Sequence, residues 1–322
     1  MKKLAFQIAV ILYVVAFFLV ADVFLYTKFV KRLQNPFSEE MRAKSIELSE
    51  FLPFEEHSRI VKVRAEESER FSEGEELPVL DGATALFPVY SAIFNALYPE
   101  SASQFDGKSF SEESKLQKRN TAGAFKAIVG KSADIVFCAD PSKKQLQFAK
   151  ENGVELKLIP IGYEAFVFLV NKSNPVDSLT VSEIKAIYSG KIGNWSEVGG
   201  ENSKISALLR PEGSGSQTAM LALMGDEKIS PKYGNFAGRT LGYSFRYYVN
   251  GIVADKNLKL LALNGIFPNK ENIRTKRYPI VGNFYAICRA EDFEKEPIQK
   301  VIRFALSEQG QRIVEESGYV GL

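Results

Sequence analysis

Histidine is almost missing from this chain: His57 is the only one among 322 residues, and it lies in a charged stretch near the N-terminus. The rest of the protein therefore has no histidine for a Ser-His or Cys-His nucleophile pair, nor for a His-based metal cluster. Cysteine is nearly as scarce. Cys138 and Cys288 sit in separate apolar stretches, "IVFCAD" and "FYAICR". Two isolated thiols exclude a disulfide framework and a zinc site, and leave either two buried free thiols or one long-range disulfide. A charge excess is lacking as well. With 41 basic and 39 acidic residues the formal net charge is +2, too balanced to support a nucleic-acid or extended polyanion partner. Any bound anion must be held by local geometry.

What is present suits a folded body. Hydrophobic residues make up 45% and charged residues 25%, a normal globular balance. The length allows two domains of ordinary size or one large one. One apolar run stands apart, from Leu4 to about Tyr26 behind Lys2 and Lys3, with Gln7 and Asp22 as polar interruptions towards its ends. At about 23 residues it is long enough to cross a bilayer with some tilt. It lacks a small-x-small cleavage site and a cysteine near its end, so residues 1–32 are expected to form an uncleaved signal anchor, a single-pass transmembrane helix. Lys2 and Lys3 are balanced by Lys28, Lys31 and Arg32, so charge alone leaves its orientation undecided. Residues 33–76 are rich in Glu, Ser, Lys and Arg and are expected to be a solvated, partly helical stalk.

From Leu77 the pattern alternates. "LPVLDGATALFPVYSAIFNALYP" reads as strand, turn and helix. "TAGAFKAIVGKSADIVFCADPS" repeats it, with a helix ending near Gly130 and a strand over Ile135 to Cys138. "KKQLQFAKENGVELKLIPIGYEAFVFLVNKSNP" gives a helix, a strand and a second strand through "AFVFLV". Thr180 followed by Glu183 is a capping box. "EPIQKVIRFALSEQGQRIVEESGYVGL" reads as one amphipathic terminal helix. Strands alternating with helices predict an α/β protein with mainly parallel sheets. In such sheets ligands sit beyond the carboxyl ends of strands, where loops lead into helix starts.

Several polar turns fall at that position. "LLRPEGSGSQTAM" places Arg210, Glu212, Ser214 and Ser216 around Gly213 and Gly215 before a helical run. Both glycines are expected to take positive φ. The serine hydroxyls and the N–H groups at the helix start make a donor concavity for an anion, and Arg210 adds a bidentate fork. The plainer reading is an N-cap in a flexible turn. "DGATAL" puts Thr84 and Ala85 at another helix start, "RNTAG" does the same for Thr121, and "CADPS" puts Asp140 directly after a strand. Each alone reads as a cap or a turn; their joint position is the stronger signal. The aromatics of "GYSFRYYV" and Trp195 read as packing residues.

The stretches "LDGATALFPVYSAIFNALYP", "ADIVFCADPS", "IGYEAFVFLVNKSNPVDSLTVSEIKAIYSGKIGNWSEVGG" and "RPEGSGSQTAML" resemble the phosphate-binding proteins that serve ABC-type phosphate importers. With "LGYSFRYYV" and "LLALNGIFPNKENI", the resemblance runs from about Leu77 to the C-terminus. It implies a two-lobed clamshell of the type II periplasmic-binding-protein class, residues 77–162 with 279–322 forming one lobe and 163–278 the other. Crossing strands would lie near "IGYEAF" and "YPIVGNFY". The phosphate ligands it implies are Thr84 with Ala85, Thr121, Asp140, and Arg210 with Ser214, Gly215 and Ser216. Glu212 stands where the family typically has an aspartate and would support Arg210. The "NTAG" and "CADP" turns depart from the family pattern.

The implied function is capture of inorganic phosphate, or a related oxyanion, outside the cytoplasm. Delivery would be to an ABC-transporter permease or a membrane sensor, with no cofactor and no metal. An acceptor-only carboxylate such as Asp140 would take a hydrogen bond from protonated phosphate. Sulfate would leave it unpaired, at a cost of ~1–3 kcal/mol. Two other readings remain: a clamshell scaffold that has lost or changed its anion, and a phosphate-handling enzyme. The enzyme is disfavoured by the missing His relay and by "GSGSQ", which lacks G-x-S-x-G spacing.

Overall fold

The computed structural model describes residues 48–72, 74–231, 239–253 and 256–322. Nine strands are present among them: β1 Leu80–Gly82, β2 Ile135–Ala139, β3 Leu156–Asn171, β4 Ser178–Leu179, β5 Ile205–Ala207, β6 Arg239–Phe245, β7 Leu258–Leu260, β8 Ala262–Leu263 and β9 Val281–Arg289. The α-helices among those residues are α1 Phe87–Leu97, α2 Asn120–Val129, α3 Lys143–Glu151, α4 Val181–Tyr188, α5 Gly215–Met224, α6 Lys270–Arg274, α7 Glu296–Leu306 and α8 Glu308–Glu316. The strand–helix alternation read from the sequence is therefore an α/β architecture.

The sheet is mixed rather than mainly parallel. Its order is β1-β2-β9-β3-β6-β5, with β7 also on β3. The outer pairs β1–β2 and β5–β6 are parallel, while β2–β9, β3–β9 and β3–β6 are antiparallel. Local strand–helix alternation reports only on the outer pairs, because β9 arrives from far along the chain. The two strands expected over 154–171 are one strand of 16 residues. Its first half pairs with β9 and its second with β6. The register shift between Pro160 and Gly162 absorbs a proline that has no N–H to donate.

Three apolar clusters fill this frame. Along one face of the β1, β2 and β9 region, α1, α7 and α8 pack against Ile135, Phe137, Ala286 and Cys288. On the other face α2 packs against Val136, Cys138 and Ile287. The two thiols thus point to opposite faces of the sheet, as strand alternation requires, and both are free and buried. A third cluster gathers the second half of β3 with β6, α4, Trp195 and Tyr278. Trp195 is 1% exposed and its indole N–H donates to the Arg239 carbonyl at 3.1 Å, a packing role as expected.

Two further expectations give way. The terminal helix is broken into α7 and α8, because Ser307 adopts an extended conformation and its hydroxyl accepts the Gly310 N–H at 3.2 Å. The charged segment before Leu77 is not a wholly solvated stalk. Phe51, Ile60, Ala65 and Phe71 are buried in the first cluster. The Phe71 ring stands 4.8 Å from that of Tyr98, and its N–H donates to the Leu97 carbonyl at 2.8 Å. These four apolar residues are too widely and irregularly spaced to leave a periodic pattern, yet each finds a hydrophobic slot. Residues 1–47, including the expected anchor, lie outside the described residues. No helix among the described residues is long and apolar enough to cross a membrane.

Candidate functional site

Three helix starts open onto one cavity of about 450 Å³. The first follows β1. Ala83 donates its N–H back to the Phe137 carbonyl at 2.8 Å, and a single-turn helix over Thr84–Leu86 leads directly into α1. Thr84 and Ala85 therefore present N–H groups with no intrahelical partner. The second is α2. Asn120 takes a left-handed φ of 68°, which asparagine tolerates, and its side chain accepts the Gly123 N–H at 3.1 Å. That leaves the amides of Thr121 and Ala122 as first-turn donors. The third is α5, where the Ser214 hydroxyl caps Gln217 N at 3.2 Å and the Gly215 and Ser216 amides face forward.

All three sets line the same cavity, with Arg210, Pro211 and Glu212 beside them. The sequence places these turns at strand ends; the tertiary structure makes them converge. Gly213 has φ 79°, as expected. Gly215 does not share it, because it is the first residue of α5; its lack of a side chain serves space instead. A Cβ there would lie 3.4 Å from the Phe245 ring and 3.6 Å from Thr121 Oγ1.

Arg210 is the principal charge. Its backbone N–H is held by Gln217 Oε1 at 3.2 Å and by the Tyr243 hydroxyl at 3.1 Å. Its guanidinium hydrogen-bonds Tyr248, whose own ionisation is pushed up by burial against the opposing pull of that arginine. Its Nε is buried with no hydrogen-bond partner. A buried charged donor without an acceptor is costly, and an anion in the cavity would supply one.

Two expected residues are placed differently from the others. Glu212 pairs with Lys144 of α3, and both side chains are largely exposed. Asp140 is exposed, does not line the cavity, and lies towards Gly282 and Tyr285 of β9.

Several residues in or behind the cavity wall leave no signal in the sequence. Asp81, fully buried, accepts the Arg119 N–H at 2.9 Å and pairs with its guanidinium at 2.8 Å. This contact ties the end of β1 to the start of α2 and so fixes the spacing of two donor turns. Burial pushes the Asp81 carboxyl up against the opposing pull of Arg119. Lys118 lines the cavity, its ammonium pushed down by burial. Glu164 of β3 lines the strand side of the cavity together with Ser244, Phe245, Phe284 and Tyr319. Charged neighbours in "KRN" and "YEAF" gave no hint of this, because the partners lie far apart in sequence. Phe245 and Tyr248, read as packing residues, also contribute to the cavity wall.

A family model described as a PBP superfamily domain matches residues 80–309. The phosphate-binding protein PstS of Borreliella burgdorferi is 27% identical over 180 residues, covering 50% of this chain and 64% of that protein. The PstS of Bacillus subtilis is 27% identical over 186 residues, covering 54% and 61%. In both cases the chain spans less than two thirds of the relative's length. Protein SphX of Synechococcus elongatus is 24% identical over 273 residues, covering 76% and 77%. Among solved structures, a Clostridium perfringens chain with bound phosphate superposes with a TM-score of 0.59 at 24% identity, covering 77% of this chain and all of its own. An ABC-type phosphate transport receptor from Vibrio cholerae gives 0.56 at 20% identity, covering 77% and 100%. These likenesses establish the fold.

Proposed function

Because the chain belongs to the PBP superfamily, we propose that it is a phosphate receptor: an extracytoplasmic, non-enzymatic binding component of an ABC-type importer. The observation that carries this reading is the convergence of three helix starts on the cavity beside a buried, unpartnered Arg210 Nε. Helix N-termini present free N–H groups and a positive dipole end, so together they favour a compact anion.

In this reading Thr84, Ala85, Thr121, Ser214, Gly215 and Ser216 donate to the phosphate oxygens and Arg210 neutralises its charge. Two lobes, residues 77–162 with 279–322 and 163–278, close on it, and closure presents a new surface to a permease or membrane sensor. Asp140 would have to turn into the cavity on binding to accept a hydrogen bond from the protonated anion, and Glu212 would steady the rim rather than Arg210. Residues 1–32 would anchor the protein as a single membrane pass, the body lying outside the cytoplasm. The relatives named for phosphate binding support the ligand assignment.

Calorimetric titration of the full chain with orthophosphate and with sulfate tests the proposal, after unfolding and refolding to strip bound anion. Phosphate is expected to bind and sulfate to stay silent. Arg210→Ala removes a buried charged donor, a loss of ~2–5 kcal/mol, so phosphate affinity should fall at least tenfold, as ~1.4 kcal/mol corresponds to a factor of ten. Absence of heat from a folded sample would sink the proposal.

A further inference from the structure

The turn after α8 borders the cavity. It bends at Gly318, whose φ is 99°, and a Cβ there would stand 2.6 Å from the Tyr247 ring. Glycine meets both demands, the left-handed backbone and the close approach. The bend delivers Tyr319, which is 1% exposed and lines the cavity. Its surroundings hold it firmly. Arg246, directly after β6, donates to the Gly318 carbonyl. Tyr163 of β3 exchanges two backbone bonds with Val320, its N–H donating at 2.7 Å and its carbonyl accepting at 3.3 Å. The Tyr319 ring packs 4.5 Å from that of Tyr247 and 5.1 Å from that of Phe284. A phenolic oxygen lies on the ring axis, so packing of the ring also places the hydroxyl.

That hydroxyl donates to the carbonyl of Ala85, in the first of the three donor turns. Burial pushes its ionisation far up, so the proton stays in place to be donated. The peptide plane from Ala85 to Leu86 is thereby held on both edges. Its carbonyl accepts from Tyr319, and its N–H donates to the Ala83 carbonyl at 2.9 Å. A planar unit fixed at two edges cannot swing, and the Thr84 and Ala85 amides precede it directly. The same ring rests on Tyr247, whose neighbour Tyr248 hydrogen-bonds the Arg210 guanidinium. A short chain of contacts therefore runs from the first donor turn through Tyr319 to the segment that supports Arg210. Groups converging on one small ligand must be held to within about 0.5 Å.

We propose that Tyr319 is a positioning residue of the anion site: through the Ala85 carbonyl it sets the Thr84–Ala85 donor turn in register with Arg210. The proposal rests on the phosphate reading above and gives a role in it to the far end of the chain. The Tyr319 hydroxyl is already spent on Ala85, so its effect on the ligand passes through the turn.

The test titrates orthophosphate into the full chain and into Tyr319→Phe, each also carrying Thr84→Ala or Ser216→Ala. Tyr319→Phe keeps the ring and its packing and removes only the tether. Phosphate affinity is expected to fall about fivefold, within the span of one net hydrogen bond. A general loosening of the fold would lower affinity too, but it would not single out one donor turn. Thr84→Ala should therefore cost less in the Tyr319→Phe background than in the parent, because its turn is already displaced. Ser216→Ala, on the third turn, should cost the same in both. An affinity for Tyr319→Phe within about twofold of the parent would overturn the positioning role while leaving the phosphate reading intact. So would a Thr84→Ala cost that is equal in the two backgrounds, or a Ser216→Ala cost that shrinks alongside it. Absence of binding by the parent would overturn the phosphate reading itself, and this role with it.

Discussion

Phe71→Ala decides whether the segment before Leu77 is part of the fold. In the structure Phe71 is 5% exposed, its ring packs 4.8 Å from Tyr98, and Lys300 Nζ lies 4.6 Å above it. Truncating a buried phenylalanine costs ~3–5 kcal/mol through lost transfer energy and the cavity left behind. Loss of the cation over the ring adds ~0.5–1 kcal/mol. The backbone bond from Phe71 N–H to Leu97 survives the substitution, so about 4 kcal/mol is the expected loss. That is a large share of the ~5–15 kcal/mol by which folded proteins are stable. The assay is urea unfolding followed by tryptophan fluorescence and far-ultraviolet circular dichroism. With a denaturant slope of ~3 kcal/mol per molar, the midpoint should fall by more than ~1 M. Phe148→Ala, at a side chain 39% exposed on α3, serves as the contrast and should shift stability by under about 1 kcal/mol. If Phe71→Ala behaves like that control, within ~0.5 kcal/mol of the parent, the segment is a tether after all and the packing argument is wrong.

Three other outcomes follow from the structure. Glu164 is held above its ordinary value at about 7, burial outweighing the pull of Arg246. Its contribution is therefore complete below about pH 4.5, is lost as pH rises through 7, and is flat beyond. At ~1.36 kcal/mol per unit, the unfolding free energy of the parent relative to Glu164→Gln should drop by roughly 3 kcal/mol between pH 4.5 and 8. A difference that does not vary with pH would refute the assignment. Gly82→Ala would put a Cβ 2.5 Å from the Phe137 carbonyl and 2.9 Å from the Tyr90 ring, an overpacking strain of ~1–3 kcal/mol that denaturation should register; a neutral result would contradict the close approach of β1 and β2. Burial pushes the Cys138 thiol well up and that of Cys288 up to about 11. A thiol reagent at pH 8 should label neither in the native protein and both in urea, whereas recovery of a disulfide would contradict their placement on opposite faces.

Whatever depended on residues three or four apart was legible in the chain itself. The Thr180–Glu183 capping box closes as expected, Glu183 N donating to Thr180 Oγ1 at 3.1 Å. Ser214 caps α5 in the same way. The ends of β1 and β2, the start of α1 and the donor turns at Thr84, Thr121 and Ser214–Ser216 all fall where the hydrophobic period changes. A turn that leads a strand into a helix is written locally, since the cap, the glycine and the first apolar residue are neighbours.

What only the tertiary structure decided is everything that pairs residues distant along the chain. The antiparallel centre of the sheet depends on β9 meeting β3, residues 281–289 against 156–165. Arg119 reaches Asp81 and Arg246 faces Glu164, and neither pair leaves a pattern in its own stretch. Glu212 was expected beside Arg210 two residues away and instead meets Lys144 on another helix. Burial of Phe51 and Phe71 required slots built by α1 and its neighbours. Local periodicity says which face of an element is apolar; which partner covers it, and which charges are then stranded in a cavity, is settled only when the elements pack.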